Sequence, residues 1–168
     1  SFLWPLGSKH NLEIRNPFQT GIRDGVRYSF TSWTLANYAD SRLIFPLTAD
    51  RNVPVVTAEF TVEYEVTVQL PSCGQDPGFP CAMSPGEVQV GGMVFHGGGT
   101  VWLPEGETQL VAIPKSGYVF SGWRLGAGTT DSFVNKITIT GPTILAPRFD
   151  PAKRMSFLTS PPNLQVMV

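Results

Sequence analysis

The feature that most constrains the fold of this chain is an aromatic pattern that occurs twice. Tyr28–Trp33 reads YSFTSW and Tyr118–Trp123 reads YVFSGW, so both copies have the form aromatic-x-aromatic-x-x-Trp, 90 residues apart (118 − 28 = 90). A closing phenylalanine follows each copy, in VVTAEF ending at Phe60 and in ILAPRF ending at Phe149, a shift of 89. Self-similarity at a nearly fixed spacing indicates a repeat architecture.

The recurring aromatic residues are the predicted core of each repeat. An aromatic side chain that returns at the same place in a strand is more typical of a hydrophobic core than of a surface platform for stacking on sugars, which is the alternative for the two tryptophans. The predicted core residues are Tyr28, Phe30, Trp33, Phe60, Tyr118, Phe120, Trp123 and Phe149.

The segments before and after these patterns predict strands. The sequence of Phe2–Ile14 aligns with that of Val101–Ile113 at a shift of 99 (113 − 14 = 99). This alignment leaves Trp4 and Trp102 one place out of register. The run KITI alternates apolar and polar residues with the period of a strand, and Gly141-Pro142 then turns the chain. The predicted fold is all-β, with tandem small β-grasp-like or sandwich-like repeats of short antiparallel strands and little or no helix.

The last residues of the sequence resemble the opening of the second repeat. Ser160–Val166 reads SPPNLQV and lies over Ser84–Val90, which reads SPGEVQV, with a shift of 76 (160 − 84 = 76). The predicted organisation is therefore a first repeat at 1–62 that lacks its opening hairpin arm, a complete second repeat at 63–150, and the opening strands of a third at 151–168.

A partial β-repeat leaves backbone N–H and C=O groups unpaired at a strand edge, so we expect it to be completed by another strand. Three arrangements would do this: the 151–168 segment of one molecule completes the first repeat of the next, it folds back on its own first repeat, or adjacent copies in a longer tandem array supply the strand. The residues expected to carry the assembly strand are Met155, Phe157, Leu164, Val166 and Val168.

The two cysteines, Cys73 and Cys81, lie close together in PSCGQDPGFPC, where glycines and prolines favour a turn. The spacing predicts a disulfide and with it an oxidising compartment. Two free thiols in a cytosolic protein are the alternative.

The repeated segments resemble a known family. GYVFSGW, followed by a polar loop, an alternating ITI strand and a closing phenylalanine, resembles the divergent internalin-type B-repeats of bacterial surface proteins, and so does GVRYSFTSW with VVTAEF. The resemblance implies a small β-rich, grasp-like repeat that occurs in tandem in secreted and cell-surface proteins, and it implies no catalytic activity.

Charge and motifs add no enzymatic prediction. Twelve Lys and Arg balance thirteen Asp and Glu, so no broad attraction to nucleic acid or to an anionic membrane is expected. FHGGGT is similar to a lipase oxyanion loop, but no Gly-x-Ser-x-Gly turn accompanies it, and a hairpin loop is the better interpretation. His10, His96 and the cysteines lack the close spacing of a zinc site. Arg23, Arg27, Arg42 and Arg51 are predicted to be solvated surface residues.

The sequence thus predicts a protein that is not an enzyme and has no cofactor and no metal. The expected function is that of an extracellular structural repeat protein, secreted or at the cell surface, that joins its own copies head-to-tail by β-strand complementation into a fibre or stalk. The alternative is an adhesive module of a longer tandem array, with a surface glycan or a host protein as its partner. No nucleic-acid partner and no membrane insertion are expected.

Overall fold

The structure, a computed structural model, describes residues 3–36, 38–50, 55–70, 84–126 and 132–153. Within these ranges the chain forms antiparallel strands and no helix, which confirms the all-β prediction. None of the described segments is a helix that could span a membrane. The strands in chain order are β1 (Lys9–Glu13), β2 (Phe18–Thr20), β3 (Val26–Leu35), β4 (Tyr38–Asp40), β5 (Ile44–Thr48), β6 (Val56–Val68), β7 (Gly86–Val90), β8 (Met93–Phe95), β9 (Gly99–Pro104), β10 (Gly106–Pro114), β11 (Tyr118–Leu125), β12 (Lys136–Ile139) and β13 (Thr143–Pro151).

The chain divides into two compact units, and each unit draws on separate segments of the sequence. Of the described residues, those within 3–67, 100–108 and 138–143 form the first unit, and those within 68–99, 109–137 and 144–153 form the second. The repeat boundaries at 62/63 and 150/151 follow the sequence pattern rather than these contacts, and they stay a prediction.

The first unit contains the aromatic strand β3, whose sequence VRYSFTSWTL is rich in the β-branched and aromatic residues that favour strands. β3 pairs antiparallel with β2, β4 and β6. A separate pair, β1 with β5, runs in register from Lys9 opposite Thr48 to Glu13 opposite Ile44. The ring of Phe45 on β5 lies 6.1 Å from that of Trp33 on β3, so the β1–β5 pair packs its inner face on the aromatic strand.

The second unit repeats this two-layer arrangement with additional strands. β7 pairs antiparallel with β10 on one edge and with β8 on the other. β11 pairs antiparallel with β13. Val88 and Val90 of β7 have no exposed surface, and Leu110 of β10 is 3% exposed. This unit therefore has a closed core, in which the inner face of β7 is fully covered.

A glycine turn starts the second aromatic strand. The N–H of Tyr118 donates to the carbonyl of Lys115 at 3.0 Å, which closes a four-residue turn between β10 and β11. Gly117, the third residue of this turn, has φ +86°, a conformation that only glycine adopts without strain. The glycine before the aromatic pattern therefore fixes where β11 begins.

Candidate functional site

The two aromatic patterns occupy the same place in two equivalent antiparallel strand pairs, β3 with β6 and β11 with β13. Phe30 on β3 lies opposite Phe60 on β6, and Phe120 on β11 lies opposite Phe149 on β13. In both strand pairs the register then shifts by one residue, between Phe30 and Ser32 and between Phe120 and Gly122. Such a shift is a β-bulge, which increases local twist and re-aims the side chains that follow it.

A side-chain hydrogen bond holds each bulge. The hydroxyl of Thr31 donates to the carbonyl of Glu59 at 2.9 Å, and the hydroxyl of Ser121 donates to the carbonyl of Arg148 at 3.2 Å. Thr31 and Ser121 are 90 residues apart (121 − 31 = 90), the same shift that relates the two patterns. The bulge is thus a shared structural feature of the two repeats.

The rings of the two patterns pack in the same geometry. Phe30 and Trp33 are 5.6 Å apart at 60°, and Phe120 and Trp123 are 5.4 Å apart at 61°, both edge-to-face. Edge-to-face contacts at such distances are a preferred arrangement of aromatic pairs. With the matching register and bulge, these contacts show that the two segments are copies of one structural unit.

The predicted core residues differ in how deeply they lie. Trp33 is 7% exposed, Trp123 1% and Phe149 4%, so these rings are buried and not available as sugar-stacking platforms. Partly buried residues are Phe30, Phe60, Tyr118 and Phe120. Tyr28 is 39% exposed, so it is not part of the buried core. The aromatic core is therefore centred on the tryptophans and Phe149 rather than on the tyrosines.

The inner strands of the two repeats align with a shift of 98, one less than the sequence comparison suggests. Leu12 faces inward from β1 opposite the buried Phe45, and Leu110 faces inward from β10 opposite the buried Val90. Because side chains alternate between faces along a strand, a shift of 99 would match an inward residue with an outward one. With the shift of 98 (110 − 12 = 98), Trp4 matches Trp102 as well.

The two repeats differ in what lies beside these inner strands. β10 has β7 along one edge, and on the other side the N–H of Leu110 donates to the carbonyl of Asn135, just before β12, at 2.7 Å. In the first repeat the N–H of Ile14 donates in a similar way to the carbonyl of Leu43, just before β5, at 2.9 Å. Among the described residues β1 has only β5 as a partner strand. We name the second edge of β1 (Lys9–Glu13) the open edge.

The inner face beside the open edge is less buried than its counterpart. Leu110 is 3% and Phe149 4% exposed, whereas the corresponding Leu12 and Phe60 are only partly buried. In the second repeat β7 lies directly on the Phe149 ring, because a Cβ placed on Gly86 would be 2.5 Å from two of its ring atoms. Among the described residues, the first repeat therefore has a partly exposed apolar surface beside β1, with no strand in the place of β7.

Other predicted sites have structural roles. His96 lies in the connection between β8 and β9, and its Nδ1 is 3.0 Å from Oε1 of Glu87. FHGGGT is thus a loop, but not the predicted hairpin loop, because β8 pairs with β7 and β9 pairs with β6. The ring of His10 stacks on Trp4 at 3.8 Å, and its Nε2 is 2.7 Å from the hydroxyl of Ser8. Among the described residues no three His, Cys, Asp or Glu side chains come together as a metal site.

Arg27 is not the solvated residue that the sequence predicts. Its guanidinium lies 4.4 Å from the ring centre of Phe18 and 4.7 Å from that of Trp102, and its Nε donates to Glu63 at 2.6 Å. The Arg27 side chain is 25% exposed and that of Glu63 17%. A cation held between two aromatic faces and paired with a half-buried carboxylate stabilises the first unit rather than forming a charged groove.

Arg42 is exposed as the sequence predicts, with 66% of its side-chain surface accessible, and it also holds the buried carboxylate of Asp40. The Asp40 side chain is 5% exposed, and it accepts hydrogen bonds from the backbone N–H of Arg42 at 2.9 Å and from its Nε at 3.0 Å. Hydrogen bonds from the Arg42 side chain, followed by the one from its backbone, lower the pKa of Asp40 to about 2.

We expect this carboxylate to make the first unit acid-sensitive in a narrow range. Because the folded pKa lies below the unfolded value of 3.8, the contribution of Asp40 is present above about pH 4 and is lost as the pH falls through about 2. Asp40→Asn should lower the melting temperature at pH 6, and its difference from the unchanged protein should shrink towards pH 2. The measurement is thermal unfolding between pH 6 and pH 2, with the exposed Asp24→Asn as control; a constant difference for Asp40→Asn would contradict it.

The cysteine and tail predictions lie outside the described residues. This applies to the disulfide between Cys73 and Cys81 and to Met155, Phe157, Leu164, Val166 and Val168.

The second repeat also matches a known family. Residues 86–152 match the family model of the divergent InlB B-repeat domain, which covers 67 of the 168 residues (152 − 86 + 1 = 67). The match begins with β7 and extends just past β13, so it contains the bulged strand pair β11–β13 that carries Trp123. This segment is similar to the divergent InlB B-repeat domain. The resemblance found in the sequence is confirmed for the second repeat.

The matched family is typically associated with bacterial surfaces and is not known for catalysis. The match suggests a bacterial surface repeat for residues 86–152. No curated protein and no solved structure matches the chain.

Proposed function

We propose that this chain is an extracellular structural subunit that joins its own copies head-to-tail by β-strand complementation, forming a fibre or stalk on the cell surface. The open edge of β1 accepts a strand from the segment 155–168 of a neighbouring copy. Every copy then carries both an acceptor, the open edge, and a donor, the segment 155–168. Each contact between two copies therefore leaves a further acceptor and a further donor. Such a contact is heterologous and propagates unless it closes into a ring.

The difference between β1 and β10 carries this proposal. On both strands a leucine faces inward, towards the strand pair that carries the aromatic pattern. β10 has β7 along its second edge, whereas β1 has no such partner among the described residues. An edge strand with free N–H and C=O groups beside partly exposed apolar side chains favours the addition of another strand.

The sequence of 155–168 supports its role as the donor. Leu164 and Val166 stand where β7 has Val88 and Val90, the two valines without exposed surface in the second repeat. The alternation places both on one face of a strand, with Asn163 and Gln165 on the other. This is the pattern that an inserted strand needs in order to cover Leu12 and Phe60.

Deletion of the donor segment tests the proposal. We expect the full chain to form oligomers or fibres, seen by size-exclusion chromatography with light scattering and by negative-stain microscopy, and the chain without Met155–Val168 to remain monomeric. A matched control, Asn163→Ser with Gln165→Thr, changes only outward positions of the segment and should still assemble. Circular dichroism establishes whether each variant is folded.

Three results would overturn the proposal. A full chain that stays monomeric and loses its fold on deletion would mean that the segment closes on its own first repeat. Assembly that persists without the segment would place the contact elsewhere on the surface. A stable monomer with and without the segment would leave the adhesive module of a tandem array as the better function.

A further inference from the structure

We infer that the donor strand joins the open edge in one register, with Val166 opposite Leu12 and Gln165 opposite Glu13 of the neighbouring copy. This inference rests on the proposed function and specifies its acceptor residues.

The register follows from the pair of strands that the second repeat already contains. There, Val90 of β7 lies opposite Leu110 of β10, and Gln89 lies opposite Val111. Replacing residues 84–90 by 160–166 moves Val90 to Val166 and Gln89 to Gln165, both by 76. The acceptor numbers then depend on how β1 is matched to β10.

The alternation of buried side chains settles that match. Leu12 faces Phe45 from the inner side of β1, and Leu110 is the inner residue of β10, so these two residues correspond. A register taken from the shift of 99 would instead place Gln165 opposite Leu12 and turn Leu164 and Val166 towards solvent. The burial of two apolar side chains therefore selects the first register over the second.

One residue of the donor departs from β7 and limits the pairing. Pro162 stands at the position of Gly86, where a Cβ would lie 2.5 Å from the ring of Phe149, the counterpart of Phe60. Proline also lacks the N–H of a ladder residue. The paired part of the donor therefore begins at Asn163, and Phe60 stays less covered than Phe149.

Paired cysteines test the register in the full chain. In a Cys73→Ser, Cys81→Ser background that retains assembly, the double substitution Glu13→Cys with Gln165→Cys should give a covalent ladder on non-reducing gels after treatment with a short bifunctional thiol reagent. Glu13 and Gln165 are both outward positions, so neither change removes an apolar contact. The matched control is Glu13→Cys with Asn163→Cys, which places the second thiol at the next outward position of the donor and should give at most a tenth of the covalent product.

Mixing the single variants shows whether the contact joins different molecules. A chain with only Glu13→Cys and a chain with only Gln165→Cys should yield covalent dimers and no longer species, because each crosslink uses one thiol from each chain. An intramolecular product of the double variant would overturn the contact between copies.

The outcomes separate the register from the proposed function. Crosslinking through Asn163→Cys but not Gln165→Cys would overturn the register and leave strand complementation standing. Fibres that form without a crosslink at either position would mean that the open edge of β1 is not the acceptor. Absence of any assembly by the unchanged chain would overturn the proposed function itself, and the register with it.

Discussion

Replacing Trp123 by alanine is expected to lower the free energy of unfolding of the second repeat by about 3–5 kcal/mol. The side chain is 1% exposed, and its ring makes an edge-to-face contact with Phe120 at 5.4 Å. Removing it leaves a cavity in a core that also loses this aromatic pair. Since whole domains are stable by only about 5–15 kcal/mol, the variant should be close to unfolded at 37 °C.

The matched change in the first repeat separates two contributions of the indole. Trp33 is 7% exposed, but its Nε1 is a buried donor without a hydrogen-bond partner among the described residues. Trp33→Ala should therefore be costly through the lost packing, whereas Trp33→Phe should cost less than Trp123→Phe because it also removes an unsatisfied polar group.

Urea unfolding followed by circular dichroism measures all four variants without depending on tryptophan fluorescence. Tyr28→Ala is the surface control, since Tyr28 is 39% exposed, and it should change stability much less than either tryptophan substitution. Equal losses for Tyr28→Ala and Trp123→Ala would contradict the assignment of the core.

The aromatic pattern predicts the two equivalent strand pairs well, because its residues contact each other within the same repeat. The spacing from Phe30 to Phe60 and from Phe120 to Phe149 differs by one residue, and both pairs lie directly opposite each other. The bulge after each phenylalanine has no signal of its own, because Thr31 and Ser121 are ordinary strand residues whose hydroxyls find a carbonyl only once the strands are paired.

The environment of Arg27 could not be predicted from local sequence. Its three partners, Phe18, Glu63 and Trp102, are 9, 36 and 75 residues away (27 − 18 = 9, 63 − 27 = 36, 102 − 27 = 75), so no periodicity connects them. An arginine in a strand with no visible partner is normally a surface residue. Only the topology of the first unit brings the carboxylate and the two rings to it.

The one-residue difference in the alignment of β1 with β10 has a simple physical origin. Sequence identity alone favours the alignment of Ile14 with Ile113, a shift of 99 (113 − 14 = 99). The inward positions of Leu12 and Leu110 instead require a shift of 98. In a strand an error of one residue exchanges the inner and the outer face. The residues that line the open edge could therefore be identified only from the structure.

A methyl group added at Gly86 is expected to destabilise the second repeat by about 1–3 kcal/mol. The Cβ of Gly86→Ala would lie 2.5 Å from two atoms of the Phe149 ring and 2.9 Å from the carbonyl oxygen of Ile113, the backbone of the neighbouring strand. Gly86 is not among the positive-φ glycines, so backbone strain does not contribute. The loss should therefore come from overpacking alone.

A second substitution identifies the cause of that loss. Phe149→Leu shortens the side chain that the new methyl group would strike, so the double variant Gly86→Ala with Phe149→Leu should be more stable than the sum of the single losses predicts, by about 1 kcal/mol or more. Gly97→Ala is the control, because a Cβ there meets nothing within 4 Å. Additive losses in the double variant would mean that β7 does not rest on the Phe149 ring.

If the coupling is found, β7 covers the core of its repeat through a contact that only glycine permits. The proline at the equivalent donor position then explains why a strand added to the first repeat would be held less tightly than β7 and could be exchanged between copies.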